Sequence, residues 1–393
     1  MDASVGANAV GWGHWQRVFP RGHSGLELKW CSLVTMFAKL LPIVLAGALV
    51  CCDRSAQENT TVGVTQPQQV MEAASDGLAP SGLEPALWED IRSYPASSVA
   101  ITAFPNAQKF GSIITGLRSL GQGMPDWPEC ASEELNKVSR YYRVDLASPD
   151  GHIRERSTLV FHGTFDQERV TACLRQVLSA FGVGDGMKGG VNTTGELTEI
   201  AMGDDRSYIL WAKAGGDAMA VNDDDEAVVS SFLSNPNKLS PDGVLVGRIV
   251  GVDRTQDIWA VGTTDYAFNV LGEKSSGYDV ALSFLGEMTP GSPDFGVRGQ
   301  AHLHFASEAA AGKAKAGLDK FIDSVTEEDS TAEPSLTGKT GDPLPPVREV
   351  LDKVLTVTVD GSRLQMRFSV DNDQIMVLMG NMAVVLQRIQ GLQ

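Results

Sequence analysis

Residues 166–181, DQERVTACLRQVLSAF, decide the reading of the fold. Val170, Cys173, Leu174, Val177, Leu178 and Phe181 recur at i, i+3, i+4, i+7, i+8 and i+11, which places them on one stripe of an α-helix. Asp166 stands where an N-cap is needed. Two strand-like runs precede this helix, YYRVDL at 141–146 and STLVF at 157–161. Between them lies the turn Ser148-Pro149-Asp150-Gly151. Pro fixes φ there, Asp bonds its own backbone, and Gly tolerates positive φ. Outward from this hairpin and helix, a strand at 99–104 and a helix at 108–120 come before. Strands at 197–201 and 208–212 and a helix at 225–233 come after.

The second half of the chain repeats this order. A strand at 258–262 and a helix at 266–271 lead to strands at 280–284 and 297–305. Next comes a helix capped by Ser307, with Ala311, Ala314, Leu318, Phe321, Ile322 and Val325 on one stripe. Strands at 355–359 and 364–370 and a helix at 374–389 close it. The turns at 203–206 and 360–363, GDDR and DGSR, read alike. The expected fold is α+β: two similar tandem units of mainly antiparallel sheet with helices on one face. Each has the ferredoxin-like order β-α-β-β-α-β-β-α, over 83–243 and 244–393. The Pro-rich acidic stretch 323–346 reads as an exposed loop.

The strongest targeting signal is Met36 to Cys52. Lys39 supplies one positive charge, Leu40 to Val50 (LLPIVLAGALV) is apolar, and Cys51 and Cys52 end the run. Eleven apolar residues are too short to span a bilayer, which takes about 20, and suit a signal-peptide core. This pattern resembles the bacterial lipoprotein signal, in which cleavage precedes a cysteine whose sulfur is acylated. Leu49-Val50-Cys51-Cys52 assigns the lipid to Cys52, with Cys51 the alternative because Cys51 occupies a position where Gly, Ala or Ser is expected. Met36 is the expected start, and residues 1–35 an over-extended one. Residues 53–82, rich in Gln, Thr, Ser, Ala and Gly, read as a disordered tether.

Charge narrows the partners. The chain of 393 residues carries 32 basic and 49 acidic residues, a formal net charge of −17. Four of the basic and two of the acidic residues precede Cys52, so the remainder carries 28 and 47, or −19. Nucleic-acid binders neutralise phosphates with Lys and Arg, so no nucleic-acid partner is expected. Removal of the signal and acylation of Cys52 leave Cys130 and Cys173. An even remainder in an oxidising compartment permits one disulfide. Equally, Cys173 sits on the apolar stripe of its helix, where a lone thiol packs as a small hydrophobe.

Few residues combine into chemistry. His302 and His304, two apart in a strand, leave the same face. They share it with Arg298, opposite Val297, Ala301, Leu303 and Phe305, and read as solvated rather than metal-bound. Asn222 to Glu226 (NDDDE) lacks the alternate ligands and central Gly of a calcium loop and reads as helix capping. The glycines at 182–186 follow a helix instead of opening one, so they do not form a dinucleotide loop. Gly338-Lys339-Thr340 lacks the first Gly and the strand of a phosphate loop. His152 follows a turn and His162 ends a strand, both ordinary exposed places.

No catalytic residue, cofactor site or metal site is assigned. The signal and the repeated plan loosely resemble predicted lipoproteins of Gram-negative bacteria. That resemblance implies an anchor in the inner or outer membrane and a body in the periplasm or at the cell surface. The expected function is a non-catalytic envelope binding or structural module, with an envelope protein or a small ligand as partner. The alternatives are a transporter's solute-binding component and a hydrolase built on His152 or His162.

Overall fold

The structure, a computed structural model, describes residues 79–378 except 108, 110–127, 149–152, 155, 181–182, 184–188, 215, 264–272, 287–294, 327–346 and 376. The signal at 36–52 and the expected helices at 108–120 and 266–271 lie outside the described residues. So do His152, Gly338-Lys339-Thr340, most of the 182–186 glycines and the end of the last helix.

The architecture differs from the expected pair of ferredoxin-like units. The strands are β1 (Ser98–Phe104), β2 (Val138–Leu146), β3 (Thr158–Gly163), β4 (Gly189–Thr194), β5 (Leu197–Met202), β6 (Asp205–Ala214) and β7 (Asp217–Asp223). They continue with β8 (Ile258–Gly262), β9 (Ser275–Leu285), β10 (Gly296–Phe305), β11 (Leu355–Asp360) and β12 (Arg363–Asp371). All twelve join one antiparallel sheet in the order β11-β12-β10-β9-β8-β1-β2-β3-β7-β6-β5-β4. The physical reason is the β1–β8 contact. Ala100, Ile101, Thr102 and Ala103 pair with Gly262, Val261, Ala260 and Trp259, so the two halves share one sheet instead of closing separately.

Helices cover both faces, not one. They are α1 (Pro85–Ile91), α2 (Glu129–Leu135), α3 (Gln167–Ala180), α4 (Glu226–Phe232), α5 (Val244–Gly251), α6 (Glu308–Thr326) and α7 (Val347–Val354). Alternation along the strands explains this, since successive side chains point to opposite faces. In β9, Val280 and Leu282 enter one cluster with Ala311, Ala314 and Leu318 of α6 and Val350 and Val354 of α7. Ala281, between them, enters another with Trp88 and Ile91 of α1, Phe232 of α4 and Leu245, Val246 and Ile249 of α5. Val170 and Leu174 of α3 pack on Ile209, Trp211 and Ala220. That surface continues the α6 face, through the paired residues Ala260, Thr102, Arg143, Leu159 and Asn222. The sheet thus has an α3 face, with α3, α6 and α7, and an α1 face, with α1, α4 and α5.

Five elements escaped the sequence reading, helices α2 and α7 among them. Strand β4 (GGVNTT) is small or polar but for Val191, and β7 (DAMAVND) is framed by acids. Helix α5, VLVGRIVG, occupies the point at which the second unit was expected to open. Order also reaches back into the expected tether, because Ala79 packs against the α1-face core.

Close packing where β9, β10 and β12 meet gives a direct test. A Cβ on Gly299 would lie 2.6 Å from the Ala281 carbonyl oxygen and from Leu282 Cδ2, and 2.8 Å from Phe368 Cζ. Backbone and two core side chains would all have to move. Gly299→Ala is expected to lose about 1–3 kcal/mol, read as a lower urea midpoint at unchanged slope.

Candidate functional site

The α1 face is closed over the first half of the sheet and over Ala281 of β9, and among the described residues it is open over β10, β12 and β11. Here the strand register lays out rows of polar side chains. Asp279 of β9, His302 of β10, Gln365 of β12 and Thr358 of β11 stand in one row. The adjacent row holds Gln300, Arg367 and Thr356, and the next Arg298 and Ser369. Among the described residues, no helix lies over these rows on β10, β12 and β11. Arg298, Arg367, Ser369, Thr356 and Thr358 are exposed.

His302 and His304 are not simply solvated, as their sequence context suggested. Asp279, directly across from His302 on β9, takes both. His302 Nδ1 lies 2.7 Å from Oδ1 of Asp279, and His304 Nε2 lies 2.7 Å from Oδ2. Gln365 Nε2 is 3.1 Å from His302 Nε2. An amide N–H can only donate, so it donates to that ring nitrogen, and Nδ1 of His302 carries the proton accepted by Asp279. The carboxylate defines both rings and leaves Nδ1 of His304 as the remaining basic nitrogen. Burial raises the Asp279 carboxyl, but the hydrogen bonds from His302 and His304 outweigh it and hold it below its ordinary value. Arg248 of α5 adds positive charge nearby, and burial lowers its own pKa against the pull of Asp279. Its Nη2 donates to the Ser276 carbonyl at 3.0 Å, while its buried Nε has no partner among the described residues.

Each Asp279 oxygen meets a different imidazole, so the carboxylate is shared between the two rings. Among the described residues, no group of three or more His, Cys, Asp or Glu is placed to hold a metal ion. The site can accept and donate hydrogen bonds across an open polar surface.

A second network is sealed. Asp90 of α1 is 3% exposed and accepts from Tyr142 Oη at 2.8 Å and from Arg140 Nε at 2.7 Å. Arg140 also reaches Asp217 at 2.7 Å. His162, expected in an exposed place, is 0% exposed and lies 3.5 Å from Asp90. Burial lowers its pKa, opposed by the charge of Asp90. His162 thus lies inside the core beside a carboxylate and not at the surface.

The acidic run at 222–226 divides its work. Asp225 caps α4, accepting from Ala227 and Val228 backbone N–H groups. Asp223 is buried and takes both Arg154 nitrogens at 3.1 Å and Thr158 Oγ1 at 2.6 Å. The structure also joins Cys130 of α2 to Cys173 of α3, 43 residues apart, by a disulfide. The candidate lipid-bearing residues Cys51 and Cys52 lie outside the described residues.

Sequence reasoning paired His302 and His304 on one face and missed Asp279. The available signal was an acid inside the run Tyr278-Asp279-Val280-Ala281-Leu282, where a charge needs a partner. Comparison with protein-family models, with curated proteins and with solved structures found no match for this chain.

The Asp279 clamp predicts a pH signature. A carboxyl whose folded pKa is depressed contributes stability above its unfolded value, about 3.9, and that contribution is lost as pH falls through the folded value. Asp279→Ala is expected to cost about 1–3 kcal/mol at pH 7. The gap to wild type should shrink as pH drops below about 4, measured by urea denaturation across pH.

Proposed function

We propose that the chain is a non-catalytic, lipid-anchored binding protein of a bacterial cell envelope. The observation that carries the binding part is the α1 face of β10, β12 and β11, which is open among the described residues. It is a polar surface held rigid by ten- and eleven-residue strands and by a core of α6 and α7 behind it. Rigid sheet positions place side chains better than loops do. Gln300, Gln365, Ser369 and Thr358 offer hydrogen bonds, and Arg298 and Arg367 offer charge. The anchor part rests on Met36 to Cys52. No helix among the described residues is long and apolar enough to cross a membrane.

The test is the intact mass of the protein extracted from membranes, with and without reduction and alkylation. The expected mass is that of Cys52 to Gln393 plus three acyl chains, with two further alkylations only after reduction of Cys130–Cys173. An unlipidated mass starting at residue 1 or 36 sinks the anchor, and a start at Cys51 moves it by one residue.

A further inference from the structure

The sheet ends differently on its two sides. Outward from the β1–β8 pair, one side reads β1-β2-β3-β7-β6-β5-β4 and the other β8-β9-β10-β12-β11. Strand β11 therefore holds the place of β6, and among the described residues the sheet stops where β5 would stand. The chain between α3 and β6 forms the hairpin β4–β5. Between α6 and β11 stands α7. Strand β5 pairs antiparallel with β6 from Leu197↔Leu210 to Met202↔Asp205. That neighbour helps to bury Ile209 and Trp211, at 9% and 7% exposure, and Thr198 of β5 accepts from Trp211 Nε1 at 2.9 Å. The matching residues of β11, Leu355 and Val357, stay half-buried.

A second observation falls at the same edge. A cleft of about 220 Å³ is lined by Leu355 and Val357 of β11, Ile322 of α6 and Leu351 of α7, set among five charged side chains of α6 and α7 that make it more polar than apolar. Its rim charges already pair with one another, Arg348 with Asp323 and Asp352. Among the described residues, no strand lies beyond β11. Its sequence, LTVTVD, has none of the Pro or Lys residues that blunt an edge.

We propose that β11 receives an extended segment of a partner protein as an added antiparallel strand, in the position that β5 holds on β6. Backbone N–H and C=O groups of the edge supply the affinity, and alternate apolar side chains of the segment enter the cleft. The segment is neutral or basic, since the rim cations are spent on their own acids and a chain of net charge −17 repels an acidic one. A second copy fits worse. Helix α6 lies against β11 and α7 flanks it, so two copies joined at this edge would press two helix layers together. The inference rests on the binding reading above and names its partner class.

The test uses the full chain and a fluorescent peptide of alternating Val and Thr, about eight residues long, with Lys at both ends. In an antiparallel strand, alternate N–H groups point to opposite edges. Two versions of the peptide, N-methylated at one or the other alternate set, should therefore behave differently. One should lose roughly tenfold or more in affinity by anisotropy, and the other should stay within about threefold. Exchanging the Lys ends for Glu should weaken binding. No saturable binding, or equal behaviour of the two methylated peptides, overturns the proposal. So does a dimer in sedimentation that Thr358→Lys dissolves, which would assign the edge to a second copy. If the peptides fail while a photo-crosslinker at Gln300 captures an envelope partner, the edge inference falls and the binding reading stands.

Discussion

The antiparallel contact between β1 and β8 is the constraint on which the rest depends. It spans only Ala100 to Ala103 against Trp259 to Gly262, yet it turns two half-sheets into one. Side chains on both sides of that joint must then be buried on both faces. Strand β8 meets this with IWAVG, five buried residues in a row. Ile258 and Ala260 serve the α6 core, and Trp259 and Val261 serve the α1 core. A strand alternating apolar with polar residues could not lie at this position, because its polar side would be sealed under α5 without partners. Close approach also matters here. A Cβ on Gly262 would come 2.4 Å from the ring of Tyr278, so the end of β8 has room only for glycine.

The same constraint explains where sequence reasoning succeeded. Helices α3 and α6 were legible because each exposes one side and buries the other, which makes a strong 3.6-residue stripe. Hairpins β2–β3, β9–β10 and β11–β12 were legible from apolar runs broken by turn residues. Sheet order was not, because a continuous run such as IWAVG says only that a strand is buried on two faces and not which strand lies beside it. A period-2 pattern reports burial, and burial is the same whether the neighbour is β1 or a strand of the same half. The error in the turns has the same origin. GDDR at 203–206 joins β5 to β6, whereas DGSR at 360–363 joins β11 to β12, and sheet order sets β11–β12 against β6–β7. Strand β7, framed by Asp217 and Asp223, was the missing piece.

The candidate site shows a similar division. That His302 and His304 share a face follows from their spacing alone. That Asp279 joins them follows from the register of the β9–β10 hairpin, in which His302 sits opposite Asp279. Register depends on a turn whose residues do not announce their geometry. His162 was misplaced for a related reason. The end of a strand is usually wet, but α1 folds back over β2 and β3 and brings Asp90 to Arg140, Tyr142 and His162. The network places a buried carboxylate between a guanidinium and a phenol, which satisfies the charge at a depth where an unpaired one would be costly. Its value is in fixing how α1 docks, since no other angle brings one carboxylate to both β2 partners.

The asymmetry of the two sheet ends is then a physical matter of what each half does with its spare chain. Between α3 and β6 the chain folds into β4–β5, whose side chains Thr198 and Ile200 help close the α3-face core over Trp211. Between α6 and β11 it forms α7, whose Val350 and Val354 close the core from above instead. Both solutions bury apolar surface, but only the first also satisfies the backbone of the edge. A helix satisfies its own N–H and C=O groups internally and has none to lend a neighbouring strand. Among the described residues, a helix in place of a hairpin therefore keeps the core closed and leaves the edge of β11 with the hydrogen-bonding capacity that β6 has already used. An exposed edge is a liability for a chain at cellular concentration. Beside it, Leu355 and Val357 lie among charges already paired with one another, so an extended segment on this edge is held by its backbone first and by alternate side chains second.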